Sequence, residues 1–139
     1  MELQLALVCD HAQTTEDGKL DVHGVFNDLF APAFPAMQDR LVLVLAVEWS
    51  RSDSGRYLFR VELVDPEGKP ALSVEGHTEV DARPEDRPPA RTRLLLPLEN
   101  VVFPHPGAYR FRVQLKGQWF DGPALHLMQG DPPPGTEGA

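Results

Sequence analysis

The feature that most constrains this chain is a two-residue alternation of apolar and polar side chains. In GAYRFRVQLKG, residues 107–117, Tyr109, Phe111, Val113 and Leu115 alternate with Arg110, Arg112, Gln114 and Lys116. A strand with one face in a core and the other in water has this pattern. YLFRVELVD, residues 57–65, places Tyr57, Phe59, Val61 and Leu63 on one face and Leu58, Arg60, Glu62 and Val64 on the other. RLVLVLAVEW, residues 40–49, is apolar on both faces as far as Glu48, and its β-branched content favours a central strand. No window of helical length carries a 3.6-residue period.

Turn chemistry separates these runs: EDGK at 16–19, APAFPA at 31–36, SDSG at 52–55, DPEGKP at 65–70, RPEDRPP at 83–89, PHPG at 104–107 and DGP at 121–123. About eight strands are expected, near residues 2–10, 19–27, 40–49, 56–64, 71–80, 91–99, 108–116 and 118–128, with a short helical turn around 34–39. Strands at such spacing imply an all-β fold, a single antiparallel β-sandwich that is immunoglobulin-like or jelly-roll-like. Pro97 cannot donate a ladder hydrogen bond, so its strand is expected to lie at an edge or to bulge there. Residues 1–129 are assigned to the sandwich and 130–139, GDPPPGTEGA, to a flexible tail rich in proline and glycine.

Length and charge narrow the function. At 139 residues there is room for one domain with an ordinary core. Cys9 is the only cysteine, so stability must come from packing, and a reducing cytoplasm is the expected location. The start, MELQLALVC, lacks a basic region and a small residue before Cys9, which argues against an export signal. No run approaches the roughly 20 apolar residues of a membrane-spanning helix. The net charge of −8 repels phosphate backbones, so neither nucleic acid nor a membrane is an expected partner. Ten arginines to three lysines and 14 prolines suggest a GC-rich bacterial genome.

DGKLDVHGVFNDLFAPAFPA, residues 17–36, combines a Gly-Lys-Leu strand, a Gly-x-Phe, an Ala-Pro and a Phe-Pro. Together with VDPEGKP and a closing FPHPGAYRFRVQLKG it resembles an uncharacterised bacterial family of unknown function, over nearly the whole chain to about Met128. The resemblance implies a compact β-sandwich and supplies no catalytic residue. Pro-Gly-x-Tyr-x-Phe-x-Val at 106–113 also recurs in immunoglobulin-like sandwiches, an analogy of fold and not of function.

Candidate sites are sparse. If residues 2–11 stay extended, Cys9 and His11 share a face that His23 of the next strand could join, a zinc-like ligand set. Cys9 also continues the face of Leu3, Leu5 and Leu7, where a lone cysteine behaves as a small hydrophobe, and Leu20 and Val22 are expected to face the same core. His11, His23, His77, His105 and His126 show no metallohydrolase spacing. Calcium would need Asp53, Asp65, Glu67, Asp81, Glu85 and Asp86 to converge from neighbouring loops, although the same residues serve plain turns. No nucleophile elbow or phosphate-cradling loop is present. Trp49, Trp119 and Phe120 are the candidate binding aromatics, with one of Trp119 and Phe120 facing outward. The leading expectation is a non-catalytic binding or assembly module without a cofactor, engaging a protein partner or a second copy of itself. A metal-dependent hydrolase or sensor and a carbohydrate-binding sandwich are the alternatives.

Overall fold

A computed structural model describes residues 1–132, so the tail expected at 130–139 lies outside the described residues from 133 onward. Nine strands form in the order β1 (Glu2–Thr14), β2 (Leu20–Val25), β3 (Asp28–Ala31), β4 (Ala36–Glu48), β5 (Gly55–Val64), β6 (Pro70–Val80), β7 (Arg91–Phe103), β8 (Gly107–Leu115) and β9 (Gln118–Gln129). They build a four-stranded sheet, β2-β1-β4-β7, and a five-stranded sheet, β3-β9-β8-β5-β6. The eight expected strands are all found. The ninth, β3, is four residues long and pairs parallel to β9, the one departure from antiparallel pairing. The helical turn expected at 34–39 does not form, because residues 36–40 are taken up in pairing with β7, from Ala36 opposite Phe103 to Arg40 opposite Glu99.

The alternation decides what fills the sandwich. Leu41, Leu43, Leu45 and Val47 of β4 meet Phe59, Val61 and Leu63 of β5 and Tyr109, Phe111, Val113 and Leu115 of β8 in one buried cluster. Each large side chain of this kind contributes about 1.5–3 kcal/mol when fully buried. The Tyr109 hydroxyl donates to the His105 carbonyl at 2.9 Å and accepts from its amide at 3.2 Å, which ties the 104–107 turn to the core. Lys116 and Gly117, both at positive φ, close the β8–β9 hairpin as a two-residue turn. Pro97 lies opposite Val42 on β7, at the sheet edge where a missing donor is tolerated.

β1 departs from the expected phase. A register shift between Leu3 and Leu5 sends Leu3, Ala6 and Val8 to the main core, and Leu5, Leu7 and Cys9 to the outer face of the four-stranded sheet. There Cys9, Val42 and Val44 are buried beneath Ala12, Leu20 and Val22. Leu20 and Val22 therefore pack on this second cluster instead of the main core, a correction to the uninterrupted alternation read from the sequence. β1 pairs with β4 up to Cys9 and with β2 from Cys9 onward.

An unbent β1 would carry the hairpin tip about 30 Å beyond the row that holds Leu5, Ala46 and Arg93, at roughly 3.3 Å per residue. Instead Arg93 of β7 donates to the Gly18 carbonyl at the tip, at 2.8 Å. The hairpin is thus folded back over the outer face. Gly24 makes the bend possible: its φ is 70°, and a Cβ there would strike the Asp10 carboxylate.

Tyr109→Phe should cost about 1–2 kcal/mol in urea unfolding, from the lost pair of bonds to the His105 backbone. Unchanged stability would show that these bonds do not anchor the turn.

Candidate functional site

The outer face of the five-stranded sheet is uncovered, and the register places its side chains in rows. Leu58 faces His77 across β5–β6, Arg60 faces Glu75 on one side and Gln114 on the other, and Glu62 faces Arg112. On β9, Trp119 faces Gln114 and Asp121 faces Arg112. Leu58 is 71 % exposed in the midst of this polar lattice. Beside it lies an open depression of about 390 Å³ lined by Leu58, Phe59, Arg60, Glu75, Gly76, Gln114 and Gly117. Gly117 belongs to the β8–β9 turn, just past the last β5–β8 pair, Phe59 with Leu115.

Electrostatics organise the rim. Arg60 bonds Glu62 at 2.9 Å and also Glu75. The Glu62 carboxylate, seconded by Glu75, makes the guanidinium still harder to deprotonate. Arg56 Nη2 lies 3.0 Å from His77 Nδ1. Arg112 covers one face of Trp119, its Cζ 4.7 Å from the ring centroid. The exposed Leu58 thus has polar neighbours whose partners lie within the sheet.

The aromatic candidates separate. Trp119 is 39 % exposed, whereas Phe120 turns inward, pairs with Val113 and packs on the main core. Trp49 is buried at 2 % exposure, stacked on Tyr57 at 4.6 Å, and donates Nε1–H to Thr92 Oγ1 at 2.8 Å. Trp49 therefore closes the end of the sandwich and offers no binding platform.

Cys9, His11 and His23 do not form one ligand set. The register shift in β1 puts Cys9 in the outer-face cluster, where its Sγ approaches the His11 and Val42 carbonyls at 3.4 and 3.7 Å, and the bend at Asp10 and Gly24 separates the His11 side chain from it. Burial pushes the Cys9 thiol up, which disfavours a nucleophilic thiolate. His11 and His23 stand directly opposite each other in the exposed hairpin face, ring centroids 6.0 Å apart. His23 Nε2 contacts Asp21 at 3.2 Å, and Asp21 is held below the usual carboxylate range by the Gln13 amide first and His23 second.

The acidic loops do meet at one end: the Arg83 amide bonds the Arg51 carbonyl at 3.1 Å, and Arg51 Nε bonds the Arg87 carbonyl at 3.2 Å. Of their acids only Asp53 is drawn into contacts, whereas Asp81, Glu85 and Asp86 stay exposed. Asp53, buried at 8 % exposure, takes Lys116 Nζ at 2.8 Å and the Tyr57 hydroxyl at 3.4 Å on Oδ1, and the Ser50 amide at 3.0 Å on Oδ2. Asp65 Oδ1 caps its own turn through the amides of Glu67 and Lys69. Among the described residues no group of three or more His, Cys, Asp or Glu side chains converges on one point.

Comparison with known families supplies the chain's relationship. Residues 4–127 match DUF6941, a family of unknown function. The chain belongs to that family. A search of curated proteins returned no match. The match spans all nine strands except the first residues of β1 and the last of β9, so the outer sheet face and the folded-back hairpin both lie within the family's domain.

Lys116 holds the Asp53 carboxyl down to about 2 from its usual 3.8, so the pair's stabilisation is complete above pH 3.8 and is lost as pH falls through 2. With Lys116 partly in solvent, the effect should be about 1–2 kcal/mol. Urea unfolding between pH 5 and pH 2 should therefore fall more steeply for the native chain than for Lys116→Met. Parallel slopes would contradict the assignment.

Proposed function

We propose that this domain is a non-catalytic binding module that engages a protein partner through the outer face of its five-stranded sheet. The observation that carries this reading is Leu58, largely exposed on the outer sheet face beside the β8–β9 turn and next to the Arg60–Glu62 and Arg60–Glu75 ion pairs. Apolar surface bordered by polar groups is the anatomy of a protein interface. The depression contains one carboxylate, Glu75, and Arg60 already neutralises it, which favours binding over acid–base chemistry.

The Tyr109–His105 bonds resemble the tyrosine corner of immunoglobulin-like sandwiches, and this supports an immunoglobulin-like reading of the fold. The net charge of −8 supports a partner other than nucleic acid. No helix among the described residues is long and apolar enough to cross a membrane. A bacterial, cytoplasmic setting is part of the proposal, supported by the arginine-rich composition and the single, buried cysteine.

The two other readings have narrower support. Sugar binding would use Trp119, but Arg112 already occupies one face of the ring on which a sugar would stack. Metal binding rests on the His11–His23 pair, which supplies two ligands where zinc centres use three or four.

Peptides selected from a displayed library against the folded protein test the leading reading. Bound peptides should shift the amide resonances of Leu58, Arg60, Glu75, Gln114 and Gly117, and Leu58→Asp should weaken them about tenfold or more without altering the urea midpoint. Binding that maps to another surface, or that survives Leu58→Asp, would remove the proposal.

A further inference from the structure

The four strands at sheet edges are not equally protected against further pairing. β3 has four residues, β2 has six and is bent at Gly24, and β7 carries Pro97 and an interruption of its pairing at Asn100, whose φ is 52°. Short length, proline and bulges are the usual devices that block edge pairing. β6 has them only at its start, where Pro70 is followed by a register shift before Leu72. Its 11 residues, PALSVEGHTEV, contain no lysine or arginine, and it pairs with β5 without a break from Leu72 to Val80.

We propose that β6 is a self-association edge, pairing antiparallel with β6 of a second copy of this chain about a two-fold axis at Gly76. This goes beyond the binding role of the sheet face and does not depend on it. A two-fold axis normal to the sheet must pass beside one residue, because side chains directly opposite each other then fall on the same face. With the axis at Gly76, Glu75 lies opposite His77 of the second copy, and symmetry makes this pair twice. Ser73 lies opposite Glu79 on the same face, while on the inner face Val74 meets Thr78 and Leu72 meets Val80.

Neighbouring axis positions are worse. At Glu75 the glutamate opposes its own copy, at His77 Glu75 opposes Glu79, and at Thr78 Glu75 opposes Asp81. Like charges directly across a strand pair are destabilising, whereas Glu75 opposite His77 sets a carboxylate against a hydrogen-bond donor.

Hydrogen-bonding roles are already set for this pairing. A guanidinium only donates, so the Arg56 contact makes His77 Nδ1 an acceptor and leaves the ring proton on Nε2. Glu75 accepts from Arg60 on Oε1 and keeps Oε2 for that proton. Gly76, at the axis, presents no side chain to its copy, and it is a glycine for an intrachain reason too: a Cβ there would lie 2.5 Å from Phe59 Cζ. The product is one continuous ten-stranded sheet whose two depressions flank the axis, since Glu75 and Gly76 line each of them.

Light scattering and sedimentation of the full chain, from low micromolar to several hundred micromolar, should show a monomer–dimer equilibrium. His77→Glu should weaken it about tenfold or more, and the exchange Glu75→His with His77→Glu should restore most of the loss. Because Cys9 is buried, oxidation of the double variant Glu75→Cys, His77→Cys should give an interchain disulfide-linked dimer, whereas Glu75→Cys alone should not. A monomer at every concentration would overturn the proposal. So would a dimer that is indifferent to His77→Glu and leaves the double-cysteine variant unlinked.

Discussion

β4 is apolar on both faces, and the rest of the structure follows from covering it twice. Leu41, Leu43 and Leu45 point to the five-stranded sheet, while Val42 and Val44 point the other way and are buried as completely. Left in water, the second face would forfeit about 1.5–3 kcal/mol for each valine. An ordinary two-layer sandwich covers one face only. The chain covers the other by shifting the phase of β1 between Leu3 and Leu5, bending at Asp10 and Gly24, and laying Ala12, Leu20 and Val22 across it. The Arg93–Gly18 bond then fixes the tip of the hairpin to the far strand of the sheet.

This asymmetry separates structural surfaces from recognition surfaces. The hairpin covers Cys9, Val42 and Val44 on one outer face but leaves Met37 and Val102 exposed there, one end is closed by Trp49, Tyr57 and the Asp53–Lys116 pair, and the outer face of the five-stranded sheet stays open. Leu58, Trp119 and the depression between them occupy the open face. The same fold-back separates Cys9 from His11, so residues two apart in sequence end in a buried cluster and in solvent respectively. Both proposed contacts, the sheet face and the β6 edge, fall on the five-stranded sheet and leave the hairpin untouched.

Much of this was legible in the sequence, and the failures share a cause. Alternation located the strands, placed Tyr109, Phe111, Val113 and Leu115 in the core, and put Leu58 opposite it. Missing donor capacity placed Pro97 at an edge. The neighbouring Trp119 and Phe120 were expected to face opposite ways, as they do. What failed was what depends on contacts distant in sequence. The short β3 is defined by β9, nearly a hundred residues away, and residues 36–40 became strand because β7 offered them partners. A one-residue shift in β1 leaves no local trace in MELQLALVC, yet it reverses which face Leu5, Leu7 and Cys9 occupy. Trp49 and Asp53 carried no local sign of burial, since Thr92 and Lys116 reach them from distant strands. Leu58 was the one site residue that the sequence exposed without distinguishing it from an ordinary surface leucine.

Hydroxyl-radical footprinting of the native protein tests the contrast between the two outer faces most directly. Cys9 is intrinsically among the most reactive side chains toward oxidants, so its protection reports the folded-back hairpin without ambiguity. The account expects strong modification at Leu58 and Trp119, with Cys9, Val42 and Val44 unmodified until the protein unfolds. Rapid oxidation of Cys9 in the native state, with Leu58 and Trp119 protected, would contradict it.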